Sequence, residues 1–242
     1  KIFVNAPAQN KREEVLKAWE SLARHTPPTQ YTIPYYLPTK EGQAIAPQLI
    51  EAFSKPSDEE KDAIVAEGEE KNRTYYINSG NPVGQPNANI ERAVQDAFAM
   101  IESQLPGRFK FVRTPVADNA LLNFASVPKL VNPENIGKGM TTQGLTNKKS
   151  GSILLSSEVY TGSYSLAMAS TALHEIGHGL GLQHPHNLQK GKGSTSSEKA
   201  TFFDTVMTYD VNNFEQPSAA YNHPVSLMPG DLQALQRLYP VQ

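Results

Sequence analysis

Apolar residues first recur at helical spacing near the start of the chain. There Val15, Leu16, Trp19, Leu22 and Ala23 share one face of a helix beginning near Asn10. Pro27 and Pro28 end it, and residues 31–38 read as extended or turn-like. A second helix is predicted over 44–53. A third starts at Ser57, where Glu60 completes a capping box, and runs towards Glu70. Its acidic run (Asp58, Glu59, Glu60, Asp62, Glu67, Glu69, Glu70) reads as a solvated face, with an acidic binding surface as the alternative. From Arg73 the pattern changes. Residues 74–77 form a predicted strand, followed by a loop rich in Gly, Asn and Pro. Ile90, Val94, Ala97, Phe98, Ile101 and Leu105 mark a long amphipathic helix. Strands follow over 109–112 and 120–124. Residues 131–150 read as a polar loop without a core signal. A short strand over 153–155 then leads into a second long helix from about Ser163 to Leu180. This order predicts an α+β or mixed fold, divided into a helical N-terminal segment (1–70) and a main domain (71–242).

Composition narrows the function classes. The 242 residues, 38% of them hydrophobic, suffice for one large domain or an ordinary one with a smaller partner. With 22 basic residues against 24 acidic ones, there is no electrostatic footprint for nucleic acid. No apolar run approaches the roughly 20 residues needed to span a bilayer, and a soluble chain is expected. The absence of cysteine excludes disulfides, thiolate metal sites and thiol nucleophiles.

The chemistry concentrates in one segment, His174-Glu175-Ile176-Gly177-His178-Gly179-Leu180-Gly181-Leu182-Gln183-His184. Residues four apart project from one helix face, so His174 and His178 can present ring nitrogens to one point. Zn²⁺ suits such a pair, because imidazole binds it at about 2.0–2.1 Å in roughly tetrahedral placement. Glu175 is rotated about 100° from His174. It therefore sits beside the metal, where it can take a proton from water instead of ligating. Gly181 adopts φ > 0 cheaply, so the chain can leave the helix sharply and His184 can swing back as a third ligand. Three protein ligands leave a fourth position open, which marks a catalytic zinc. Gly177 and Gly179 each weaken a helix by roughly 1 kcal/mol relative to Ala. A helix that substrate or another segment approaches closely has a use for them. His25 and His223 read as surface or loop residues, and His186 is a rival third ligand.

This extended motif resembles that of the metzincin endopeptidases, whose second hallmark is a Met-containing turn beneath the metal. Thr205-Val206-Met207-Thr208-Tyr209 is similar to that turn; core filling by a lone Met207 is the plain alternative. Tyr209, two residues after the Met, resembles serralysins or astacins more than matrixins. Pro185 resembles a serralysin marker, and residues 228–239 resemble the closing helix of serralysin catalytic domains. The likeness covers residues 160–239, extends more loosely back to Arg73, and does not reach the first 70 residues. It implies a metzincin/zincin-like fold: a twisted mixed sheet with an antiparallel edge strand, two long helices and an active-site helix carrying the motif. The glycine- and aspartate-rich nonapeptide repeats of serralysins do not follow Tyr239, so their calcium-binding β-roll is not carried over. Structural calcium is left open, since no Asp-rich loop announces it.

The resemblance further implies a secreted, monomeric zinc metalloendopeptidase with one catalytic Zn²⁺ on His174, His178 and His184. Glu175 would be the general base, passing the water proton to the leaving amine. Tyr209 would ligate zinc at rest and swing to stabilise the oxyanion; a buried hydroxyl bonded to backbone is its plain reading. Substrates would be proteins or peptides in extended form. Ser152, Ile153, Leu154, Leu155 and Ser156 are expected as an edge strand to which a peptide adds, an interior strand being the alternative. Residues 210–217 would wall the primed-side pocket. The N-terminal segment is either a permanent helical cap or a propeptide covering the cleft in a latent zymogen, without a thiolate latch. A non-catalytic zinc-binding module or toxin subunit is the remaining alternative, and retention of Glu175 argues against it.

Overall fold

The computed structural model describes residues 9–40, 43–54, 83–130, 143–184, 205–207 and 226–242. Five strands, β1 (Tyr31–Tyr36), β2 (Phe109–Arg113), β3 (Leu122–Val127), β4 (Gly144–Asn147) and β5 (Ser152–Ser156), form one sheet in the order β2-β1-β3-β5-β4. The β1–β2, β1–β3 and β3–β5 pairs are parallel, and β4 alone runs antiparallel, against β5. Among the described residues five α-helices accompany them: α1 (Gln9–His25), α2 (Pro47–Ser54), α3 (Ala88–Gln104), α4 (Ala167–Gly179) and α5 (Pro229–Leu238). The arrangement is the expected α+β metzincin-type one, with a mixed sheet and an antiparallel edge.

Both faces of the sheet are covered, and period-two alternation divides the side chains between them. Leu122 and Phe124 of β3, with Ile153 and Leu155 of β5, join α3 and α4 in the larger core. Ala125, Val127 and Leu154 point the other way, into a smaller cluster with Ala46 and Leu49 at α2. Asn87 caps α3, its side chain accepting a hydrogen bond from the Ile90 amide at 2.9 Å. That places Ile90, Val94, Ala97 and Ile101 on the buried face. Trp19 of α1 meets Tyr31 of β1 edge-on at 5.3 Å between ring centroids, and Tyr31 meets Tyr239 at 5.1 Å. These rings bind the two ends of the described chain to the same core.

Residues 31–38, expected to be extended or turn-like, hold a strand at 31–36, second in the sheet and paired with both β2 and β3. Two expectations are corrected. The polar stretch 131–150 holds a strand at its end, since Gly144–Asn147 is β4. Consequently Ser152, Ile153, Leu154, Leu155 and Ser156 are not an edge strand: β5 lies between β3 and β4 and is buried throughout. Its Ile-Leu-Leu run reflects burial on both faces, as in strands covered on each side. The predicted helix at 57–70 and strand at 74–77 lie outside the described residues.

Candidate metal centre

The active-site helix is built to be enclosed. Ala169, Ala172, Leu173 and Ile176 of α4 are buried together with Glu175 and His178. The helix ends in a tight reversal. The Leu180 amide donates to the Ile176 and Gly177 carbonyls, that of Gly181 to His178 at 3.0 Å, and that of Leu182 to Gly177 at 2.9 Å. Gly181 adopts φ +102°, a left-handed conformation that costs glycine little. The chain thus turns back and delivers His184 to the pair on the helix.

The three rings converge through their Nε2 atoms. Nε2 of His184 lies 2.9 Å from that of His178 and 3.2 Å from that of His174. Two nitrogens held by one tetrahedral zinc at 2.0–2.1 Å sit about 3.3 Å apart. The three side chains, each offering one nitrogen, form the group placed to hold a metal ion. The opposite nitrogens fix two of the tautomers. His174 donates from Nδ1 to the Val206 carbonyl at 2.7 Å, and His178 from Nδ1 to the Leu182 carbonyl at 2.9 Å. Both leave Nε2 with its lone pair facing the centre. Burial pushes the His174 ring below its ordinary range, and burial with the neighbouring His174 drives His178 down to about 3. Neutral imidazoles are what a zinc ion requires. Donor chemistry fits zinc, as do the two distances to His184, and the three ligand nitrogens all lie within 4.8 Å of one another.

Glu175 is only 4% exposed and faces β4. The Thr146 hydroxyl approaches its Oε2 at 2.6 Å and its backbone carbonyl at 3.0 Å. Burial raises the carboxyl to about 7, against the pull of the Thr146 hydrogen bond and the Lys148 charge. Gly144 also belongs to this wall. A Cβ there would stand 2.6 Å from Cγ of Glu175, so the carboxylate fits only because the position has no side chain.

Met207 lies in the core beneath the helix. A Cβ on Gly177 would come within 2.9 Å of its Sδ, and one on Gly179 within 2.7 Å of Leu122 Cδ2. These glycines let the turn and the sheet approach α4, as their cost in a helix suggested. Asp231 in the first turn of α5 braces the Met-containing turn. It accepts from the Thr205 hydroxyl, from the Val206 amide at 2.9 Å and from the Met228 amide at 2.9 Å. Val206 in turn holds His174.

Thus the structure brings together His174, His178 and His184, with Gly181 at the reversal that returns His184 and Met207 packed beneath α4, while Glu175, next after His174 on that helix, faces Thr146. Tyr209, His186 and residues 210–217 lie outside the described residues. Sequence reasoning missed Gly144, Thr146, Thr205 and Asp231. A four-residue strand in a polar stretch gives little periodic signal, and an acid in a first helical turn reads as ordinary capping.

Comparison with known proteins agrees with this geometry. The matrixin family model matches residues 67–190, just over half of the chain, and spans the three histidines and Glu175. Metalloprotease AprA of Pseudomonas entomophila (strain L48) is 34% identical over 89 residues, which cover 33% of this chain and 18% of that protein. The chain therefore spans under a fifth of the curated relative it matches. The expectation that Tyr209 sets the chain apart from matrixins does not prevent the match to their model. With the family's motif carried by three converging histidines on the expected fold, the chain belongs to the matrixin family, within the metzincins.

Proposed function

We propose that this chain is the catalytic domain of a secreted zinc endopeptidase, serralysin-like in type, that cleaves internal bonds of extended protein substrates. The observation that carries the reading is the convergence of three imidazole Nε2 atoms, two of them from the helix that also carries the buried Glu175. Neutral histidines with an adjacent acid suit hydrolysis better than structural support. His174, His178 and His184 would hold the ion, which supplies Lewis acidity there, polarising a carbonyl and making water more acidic.

In this reading Glu175 accepts a proton from the attacking water as the new C–O bond forms. It returns the proton to the amine nitrogen as the C–N bond breaks, so protons balance over one turnover. Thr146 holds the carboxylate through its hydroxyl. Tyr209, by resemblance, assists the oxyanion. Among the described strands none pairs with the far side of β4, so a substrate strand can add there by main-chain hydrogen bonds. The substrate then lies beside the strand that carries Thr146.

Metal analysis with cleavage-site mapping on a peptide library tests this function. One zinc per chain and internal cuts that stop on chelation and return with zinc support it. Zinc-loaded protein that cuts nothing in the library contradicts it.

A further inference from the structure

Arg12 of α1 is buried, at 6% exposure, far from the surface where a lone arginine is normally found. Among the described residues its guanidinium faces carbonyl oxygens and no carboxylate. Nη1 donates to the Leu121 carbonyl at 2.7 Å, and Nη2 donates to the Gly179 carbonyl at 2.7 Å and lies 3.4 Å from that of Lys148. Burial pulls its pKa down from the ordinary value. A buried cation without a counter-charge is costly. The side chain is retained where its acceptors are of one useful kind: Gly179 is the last residue of α4, where exposed carbonyls carry the negative end of the helix dipole.

The acceptors have a pattern. The Gly179 carbonyl lies in the segment between His178 and His184, whose reversal sets the spacing of those two ligands. The next carbonyl, Leu180, is held by the Tyr239 hydroxyl at 2.8 Å. Lys148 belongs to the turn between β4 and β5, hence to the hairpin that presents Thr146 to Glu175. Leu121 immediately precedes β3, which carries that hairpin through β5. The hairpin turn makes room for Arg12: a Cβ on Gly151 would fall 2.9 Å from its Cζ.

We propose that Arg12 is a positioning residue for the histidine triad, and that α1 is a permanent part of the metal-binding domain through it. The inference rests on the zinc reading of the triad and adds that the N-terminal helix sets its geometry. Supports of metal ligands that lie behind them typically change affinity by 10- to 100-fold when removed.

The test uses the full chain. Arg12→Met keeps the stem and removes the donors, Arg12→Lys keeps a charge and fewer donors, and Val15→Ala loosens α1 without touching the carbonyls. Zinc dissociation constants are measured by competition with a chromogenic chelator, and folding by circular dichroism and thermal melting. Arg12→Met should bind zinc about 10- to 100-fold more weakly, Arg12→Lys should fall between it and the parent, and Val15→Ala should melt earlier with parental zinc affinity. Should Arg12→Met not fold, Arg12→Lys carries the comparison, with weaker binding than the parent expected. Parental affinity in Arg12→Met, or in Arg12→Lys when only that variant folds, overturns the proposal. So does an equal loss in Val15→Ala. A parent chain that binds no zinc overturns the zinc reading itself, and with it this inference.

Discussion

The Thr146 hydroxyl lies 2.6 Å from Oε2 of Glu175, joining β4, an edge among the described strands, to the carboxylate that follows His174 on α4. A buried carboxylate with one fixed donor has one preferred orientation. The edge that would receive substrate and the group that would move the proton are thereby parts of one hydrogen-bonded unit.

Loss of that hydroxyl should therefore reach chemistry more than binding. Thr146→Val keeps the shape and removes the donor. A hydrogen bond to a charged group contributes about 1.5–3 kcal/mol, so kcat should fall by roughly 10- to 100-fold with KM little changed. Thr146→Ser should retain most activity. Steady-state kinetics on a quenched peptide, with zinc content measured alongside, check this.

Gly144 should tolerate no side chain. A Cβ 2.6 Å from Cγ of Glu175 must displace either that side chain or β4. Gly144→Ala should lose about 1–3 kcal/mol of stability, as overpacked sites do, and lose turnover while still binding zinc. Denaturant unfolding and metal analysis separate those effects.

At the other end of the motif, Gly181→Ala should strain the reversal that returns His184. A φ of +102° disfavours any residue with a Cβ, at a cost of roughly 1–2 kcal/mol. Weaker zinc binding than the parent, read by chelator competition, is the expected result. Unchanged affinity would mean that His184 reaches the centre by another route.

Asp231 supplies a pH dependence. Burial holds its carboxyl above the ordinary value, outweighing the hydrogen bonds from Thr205, Val206 and Met228. The folded state then binds this proton more tightly than the unfolded state. Its favourable contribution is complete below the unfolded pKa, about 3.9, and is lost as pH rises through the raised folded value. In zinc-free protein the stability of the parent relative to Asp231→Asn should decline across that window, as followed by urea unfolding at several pH values. A relative stability that climbs with pH would contradict it.

The residues of the metal centre were legible because their chemistry is local. His174 and His178 are one helical turn apart, and Gly181 announces the reversal that brings in His184. The supports were not, because they come from distant sequence. Arg12 meets Gly179 across 167 positions, and Thr146 meets Glu175 across 29. β1 reads as extended from the sequence, but not as an interior strand, since Pro34 argues against a central position. It is tolerated because pairing with β3 begins only at Tyr35. β5 was misplaced at the edge because β4 is four half-buried residues without clear alternation. A short apolar run does not reveal how many neighbours a strand has.

In the proposed function, Glu175 moves the proton for hydrolysis beside a metal held by the three histidines. The most direct test is the kcat of zinc-loaded Glu175→Gln on a quenched peptide, with zinc stoichiometry measured on the same sample. General acid–base groups contribute roughly 10²- to 10⁴-fold. The loss should be of at least that order, with one zinc still bound per chain. Near-parental turnover in the zinc-loaded variant would contradict this role.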